Sequence, residues 1–182
     1  MRVGILFTTL LACTISIESL TVKSSQAVQL RDGKVYFEQP PRLLRAATTF
    51  KNINVWGATY YFTVKLPSNA GESLQKIIIN QYSGFDDINF DLKDSFAFIG
   101  TRNAKKEKLP LKITRKPDTE TLALIFNPPV EPGKTITIAL KPTKNPAVEG
   151  VYLFGVTAFP VGEKSHGQFL GYGRLHFYKN NS

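Results

Sequence analysis

An all-β domain, an immunoglobulin-like β-sandwich of about nine strands, is the fold this sequence predicts, and three observations predict it. The 11 prolines and seven tyrosines all lie beyond residue 27, so the body of the chain is rich in residues that break helices or favour a pleated surface. Short segments with apolar residues at every second position recur between turn clusters, which is the pattern of a sandwich. No internal repeat, low-complexity tract or linker interrupts residues 28–182, an ordinary length for one domain.

Lys34 to Glu38 is expected as the first strand, stopped by Pro40-Pro41, which cannot donate to a ladder. Ala58 to Leu66 alternates, with Tyr60, Phe62, Val64 and Leu66 on one face and Tyr61, Thr63 and Lys65 on the other. Pro67 to Gly71 is a turn cluster. Leu74 to Asn80 holds Ile77-Ile78-Ile79 and is expected as a buried strand. Further strands are predicted at Ile88–Leu92, Ser95–Ile99, Leu109–Arg115 and Glu120–Phe126. The turn from Asn127 to Gly133 leads to Lys134–Lys141, where Ile136, Ile138 and Leu140 alternate with Thr135, Thr137 and Ala139. These last two strands are predicted to form a hairpin-like unit. Val151–Phe159 is apolar on both faces, as in a strand covered on each side. Phe169–Tyr178 closes the domain, with Gly171 and Gly173 marking a bulge or a close backbone approach.

The first 27 residues are expected to be a signal peptide. Met1-Arg2 is a short positive region, and Val3 to Ile17 is uncharged and largely apolar. That run is shorter than the ~20 residues a membrane-crossing helix needs. Small residues at Ser25 and Ala27 place cleavage between Ala27 and Val28. Leu10-Leu11-Ala12-Cys13 supplies an alternative, a lipoprotein box whose processing would anchor the chain through lipid on Cys13. Against it, the preceding apolar run is short and Thr14 to Ile17 stays apolar where a polar tether belongs. The mature chain is therefore predicted to occupy residues 28–182, without a transmembrane segment, in the periplasm or released.

Cys13 is the only cysteine, so cleavage would leave no disulfide, thiolate nucleophile or cysteine metal ligand. The whole chain carries a formal net charge of +9 and stays strongly basic once Arg2, Lys23 and Glu18 are removed. Such a surface attracts anionic neighbours, lipid headgroups or acidic polysaccharide, and equally serves solubility. Nucleic acid is not expected as the partner of an exported protein.

Several stretches resemble a secreted cyanobacterial family, domain of unknown function 2808. They are Tyr36-Phe37 with Gln39 to Leu43, Ala58 to Thr63, Phe98 to Arg102, Gly150 to Pro160, and His166 to Gly171 continuing into Gly173 to Tyr178. The resemblance covers nearly all of the mature chain. It implies an exported single-domain protein and carries over no catalytic residue.

Four features are candidate sites. On the last strand, Leu175 and Phe177 share one face, while Tyr172, Arg174, His176 and Tyr178 share the other. Such a row could stack on a sugar or clamp an anion, or it could be an ordinary outer sheet face. His166 and His176 are the only histidines and could begin a copper or zinc site, which needs three or four ligands. Asp86, Asp87, Asp91 and Asp94 form an acidic knot without the spacing of a calcium loop, better suited to a solvated edge. Arg102, Lys105, Lys106, Lys108, Lys112, Arg115 and Lys116 stand against Glu107 in a basic run that suits a solvated hairpin tip or an acidic surface. No nucleophile elbow, phosphate loop or HExxH motif occurs. The expectation is a non-enzymatic binding or structural module of the cell envelope that needs no cofactor. Its partner would be a cell-wall or envelope polysaccharide or another envelope protein. A periplasmic small-ligand or metal carrier, and a hydrolase without a recognisable motif, are the alternatives.

Overall fold

Two five-stranded antiparallel sheets lie face to face over one apolar core in the computed structural model, which describes residues 28–29, 33–116 and 120–179. The expected signal peptide, with Cys13 and Ala27, lies outside the described residues, and Val28 is the first residue of a strand. The strands are β1 (Val28–Gln29), β2 (Val35–Tyr36), β3 (Arg42–Thr48), β4 (Tyr60–Lys65), β5 (Leu74–Ser83), β6 (Phe90–Thr101), β7 (Ala104–Leu109), β8 (Leu111–Lys116), β9 (Thr121–Val130), β10 (Thr135–Pro142), β11 (Gly150–Pro160) and β12 (Gln168–Phe177). The first sheet runs β3-β4-β10-β6-β7, the second β12-β11-β5-β9-β8, and β1-β2 is a separate small ribbon. The immunoglobulin-like sandwich is as expected, with twelve strands among the described residues rather than about nine.

Period-two patterning builds the core. Tyr60, Phe62 and Val64 of β4 and Ile136, Ile138 and Leu140 of β10 are buried from the first sheet. Ile77, Ile79, Leu122, Leu124, Phe126, Tyr152, Phe154 and Val156 are buried from the second. Phe154 meets Phe62 edge-on at 5.6 Å and Tyr60 at 6.1 Å, while Phe177 meets Tyr152 at 5.4 Å and Tyr60 at 5.6 Å. These rings tie the sheets together, and truncating a buried phenylalanine of this kind costs about 3–5 kcal/mol.

Four expectations need correction. β9 and β10 are not a hairpin: β9 pairs with β5 and β8, whereas β10 pairs with β4 and β6. The turn expected from Asn127 to Gly133 begins later, because β9 runs on to Val130, which pairs with Leu74; residues 131–134 carry the chain from one sheet to the other, and the alternation of both strands reports a shared core rather than a shared ladder. The single strand expected at Leu109–Arg115 is two, because Pro110 separates β7 in the first sheet from β8 in the second; proline gives no ladder donor at the switch. The strands expected at Ile88–Leu92 and Ser95–Ile99 are largely one, β6, broken by a bulge opposite β10 between Asp91 and Phe96. β11 buries one face fully, and the other only in part.

The acidic knot organises backbone. Asp91 Oδ1 accepts the N–H groups of Lys93 (2.9 Å) and Asp94 (3.3 Å), and Ser95 Oγ donates to Asp91 O at 2.6 Å while accepting Lys141 N–H at 3.0 Å. Those bonds hold the bulge where the ladder is missing. Asp86 Oδ2 accepts from Ala147 N–H (2.5 Å) and Val148 N–H (3.0 Å), fastening the β5–β6 connection to the β10–β11 loop. Tyr152 Oη donates to Val148 O at 2.9 Å in the same cluster.

Candidate functional site

β3 is an edge of the first sheet and β12 an edge of the second, and the two edges close against each other. Gly173 makes the approach feasible, since a Cβ there would stand 2.6 Å from Phe62 Cε1 and 2.9 Å from Ala46 Cβ. Gly171, at φ +116°, marks the bulge opposite Val156 and Thr157 that sets the face of the strand that follows. Leu175 and Phe177 then point inward and are buried, while Tyr172, Arg174 and Tyr178 are exposed and His176 is half-buried on the outer side.

A groove follows this seam. One compartment of ≈ 380 Å³ is lined by Arg45, Lys51, Arg102, Arg174, His176 and Tyr178 among others. A second of ≈ 320 Å³, sharing Arg45, Ala47 and Arg102, continues over β4 past Tyr61 and Thr63. Four cations face the groove, and among the described residues no aspartate or glutamate lines either compartment. Arg102 lies over Tyr61, its guanidinium carbon 5.1 Å from the ring centre, a contact that orients the group without neutralising it.

The backbone fixes several of these positions. Thr137 Oγ1 donates to Gly100 O at 2.7 Å and shares a 3.0 Å hydrogen bond with Thr63 Oγ1, so the end of β6 is held over the outer face of its own sheet. That brings the β6–β7 turn, with Arg102, beside Arg45. At the other end Tyr178 N–H donates to Lys51 O at 2.8 Å and Ile53 N–H donates to Tyr178 O at 3.0 Å. Lys51 and Tyr178 are thereby neighbours, and the His176 ring stacks on Tyr178 with centroids 6.3 Å apart.

The outer residues Tyr172, Arg174 and His176 of β12, with Tyr178 just beyond its end, divide. Arg174, His176 and Tyr178 enter the groove; Tyr172 instead joins Tyr82 and Phe169 on the outer face of the second sheet. The two histidines are not brought together. His166 precedes β12, its ring packed on Tyr36 at 4.7 Å and its N–H donating to Val35 O at 2.9 Å. Ten residues of mostly extended chain put His176 about 30 Å away. Among the described residues no three His, Cys, Asp or Glu side chains converge as metal ligands, and no helix is long and apolar enough to cross a membrane.

Residues 34–177 match the family described as Protein of unknown function (DUF2808). The chain belongs to this family. No curated protein matches the DUF2808 chain in sequence. Among solved structures it is similar to the collagen-binding domain from a Staphylococcus aureus adhesin, at 11% identity and TM-score 0.39, covering 75% of this chain and 98% of that one. It is similar to ACE19, the collagen-binding subdomain of the Enterococcus faecalis surface protein ACE, at 10% identity and TM-score 0.42, covering 72% and 95%. An uncharacterized Nocardia farcinica protein with an immunoglobulin-like fold gives 9% identity and TM-score 0.39, covering 73% and 96%.

In the DUF2808 chain the basic run from Arg102 to Lys116 has several fates. Arg102 lines the groove; Lys105 and Lys108 lie over Phe96 at 5.7 and 5.4 Å. Arg115 donates from Nη1 to Asn89 Oδ1 at 2.6 Å and pairs with Glu120 through Nη2. Arg45 and Lys51 carry no motif that marks them as site residues in the sequence. The signal available was an arginine on a segment whose alternation fails, the mark of a bulged edge.

Proposed function

We propose that the protein is an exported, non-enzymatic binding module of the cell envelope, in the periplasm or released, that holds an anionic partner in the groove between β3 and β12. Residues 28–182 would form the mature domain once cleavage after Ala27 has removed the signal peptide. An acidic envelope polysaccharide is the partner class that best matches an open, elongated groove. The observation that carries this reading is the convergence of Arg45, Lys51, Arg102 and Arg174 without a lining carboxylate among the described residues. Arginine supplies planar, permanently charged forks suited to carboxylate or sulfate groups. Cations held close together without counter-charges repel one another, and a bound polyanion relieves that repulsion.

The test is retention on an immobilised polyuronate across a salt gradient. Wild-type protein should bind at low ionic strength and elute as salt screens the groove. Arg45→Ala combined with Arg174→Ala should elute far earlier, while the control Lys112→Ala, on the second sheet's edge strand, should elute with wild type. Equal elution of all three proteins would overturn the reading. Export has its own test: the protein isolated from its native cell should begin at Val28.

A further inference from the structure

The second sheet carries a separate feature on its outer face. Tyr82 of β5, and Phe169 and Tyr172 of β12, are 64%, 57% and 45% exposed, yet each touches another of the three. The Tyr82 and Tyr172 rings lie 4.8 Å apart at 44°, and those of Phe169 and Tyr172 lie 5.0 Å apart at 70°. β5 and β12 flank β11 and are not themselves neighbours, so their strand axes lie about 9–10 Å apart. The two phenols meet across that gap, over β11.

Gly155 of β11 is the floor beneath them. It pairs with Tyr172 on one side and with Asn80 on the other. A Cβ there would stand 2.8 Å from Asn80 Oδ1 and 3.5 Å from Phe169 Cε2. The absent side chain therefore leaves the Asn80 carboxamide at the foot of the rings. Polar and aromatic groups are interleaved: two phenol hydroxyls and one carboxamide among three ring faces. The Tyr172 phenol is held above its ordinary titration range, by partial desolvation first and then by its hydrogen bond to Tyr82 and the charge of that neighbour. Here the mutual contacts fix the rings while leaving their faces open, so little side-chain entropy remains to be lost when a ligand lands.

We propose that Tyr82, Phe169, Tyr172 and Asn80 form a sugar-stacking subsite, in which a pyranose ring lies on the aromatic faces and its hydroxyls bond to the phenols and the carboxamide. The C–H bonds on a pyranose face carry partial positive charge and meet the negative face of an aromatic ring. A purely aliphatic partner would gain nothing from the hydroxyls and the carboxamide and would leave them unpaired. The subsite gives the binding module of the preceding section its ligand class, and it rests on that reading. β12 connects the two features: from Tyr172 its outer face passes to Arg174, His176 and Tyr178 in the groove. A glycan lying along this strand would set a ring on the platform and its acidic groups against the arginines.

The test uses full-length mature protein and two hexasaccharide probes, uncharged β-linked glucose and charged β-linked mannuronate, titrated at low and at high salt. Binding of the uncharged probe should persist at high salt and shift the ring resonances of Tyr82 and Tyr172. Tyr172→Ala and Tyr82→Ala should each weaken it about two- to tenfold, and the remote control Lys112→Ala should leave it unchanged. Because Tyr82 and Tyr172 are exposed, the variants should keep the wild-type melting temperature, measured alongside. Absence of uncharged-probe binding, or binding equal in the tyrosine variants, overturns the subsite whatever the mannuronate probe does. Loss of mannuronate binding in Arg45→Ala/Arg174→Ala tests the groove separately, so the two claims fail independently.

Discussion

The hydroxyl of Tyr60 donates to Oδ1 of Asn145 at 3.0 Å, joining residues 85 positions apart in the interior. The same carboxamide donates through Nδ2 to Phe50 O at 3.1 Å and Asn52 O at 2.8 Å. One buried side chain thus fastens β4, the loop after β3 and the β10–β11 loop, with all of its polar atoms used.

Alkaline pH should unfold the protein through this pair. Burial, and then the neighbouring Tyr152, raises the Tyr60 phenol far above its ordinary value of about 10. Tyr152 is raised as well, chiefly by burial. A tyrosine with a raised folded-state pKa keeps its proton in the native state while the unfolded chain releases it. The linked stability is therefore fully present below pH ~10 and falls above it, by up to about 1.4 kcal/mol per pH unit for each such group. Denaturant melts from pH 8 to 11 should show that decline. Tyr60→Phe should be less stable at pH 8 by about 1–3 kcal/mol, because Asn145 Oδ1 loses its donor, and its decline with pH should be shallower. An equal slope in wild type and Tyr60→Phe would falsify the assignment.

Gly173→Ala should lower stability by about 1–3 kcal/mol, because its methyl enters space held by Phe62 and Ala46. Gly171→Ala should also destabilise, for a different reason: nothing lies within 4 Å of the added carbon, but φ is +116°. A double variant Phe62→Leu/Gly173→Ala should recover part of the Gly173 loss, and no such rescue should follow for Gly171. Calorimetric melting of wild type, the three single variants and the two double variants checks both statements.

Asp86→Ala should leave the N–H groups of Ala147 and Val148 without their carboxylate acceptor. A loss of about 1–3 kcal/mol is expected, with amide exchange speeding up at residues 147 and 148 ahead of the sheets. Uniform acceleration throughout the domain, with no lead at these two amides, would contradict a local clamp.

Ser95→Ala removes both the bond to Asp91 O and the acceptor for Lys141 N–H. The expected cost is about 1–3 kcal/mol, because the bulge has no ladder bonds to replace them. Asp91→Asn should cost less, since a carboxamide oxygen still accepts from Lys93 and Asp94.

The core faces were legible in sequence because period two is local: Tyr60-Phe62-Val64 and Ile136-Ile138-Leu140 declare their sides without knowledge of their partners. Pairing was not legible, since alternation in β9 and β10 is the same whether they share a ladder or only a core. β3 went unseen because the bulge between Leu43 and Arg45 turns Leu44 outward and breaks the pattern. The outer row of β12 was readable, yet its division between groove and platform depends on Arg45, Lys51, Arg102 and Tyr82. Those residues come from β3, the loop after it, the β6–β7 turn and β5, and no spacing along the chain reports that meeting.

The strand order has a consequence for synthesis. β10 sits between β4 and β6, and β11 between β5 and β12, so each sheet joins a strand made before residue 90 to one made after residue 130. The leading hundred residues leave the ribosome without the partners that would cover Phe62 or Ile79, and folding waits for the trailing third. Until β10 and β11 have been made, the core faces of β4 and β5 stay uncovered.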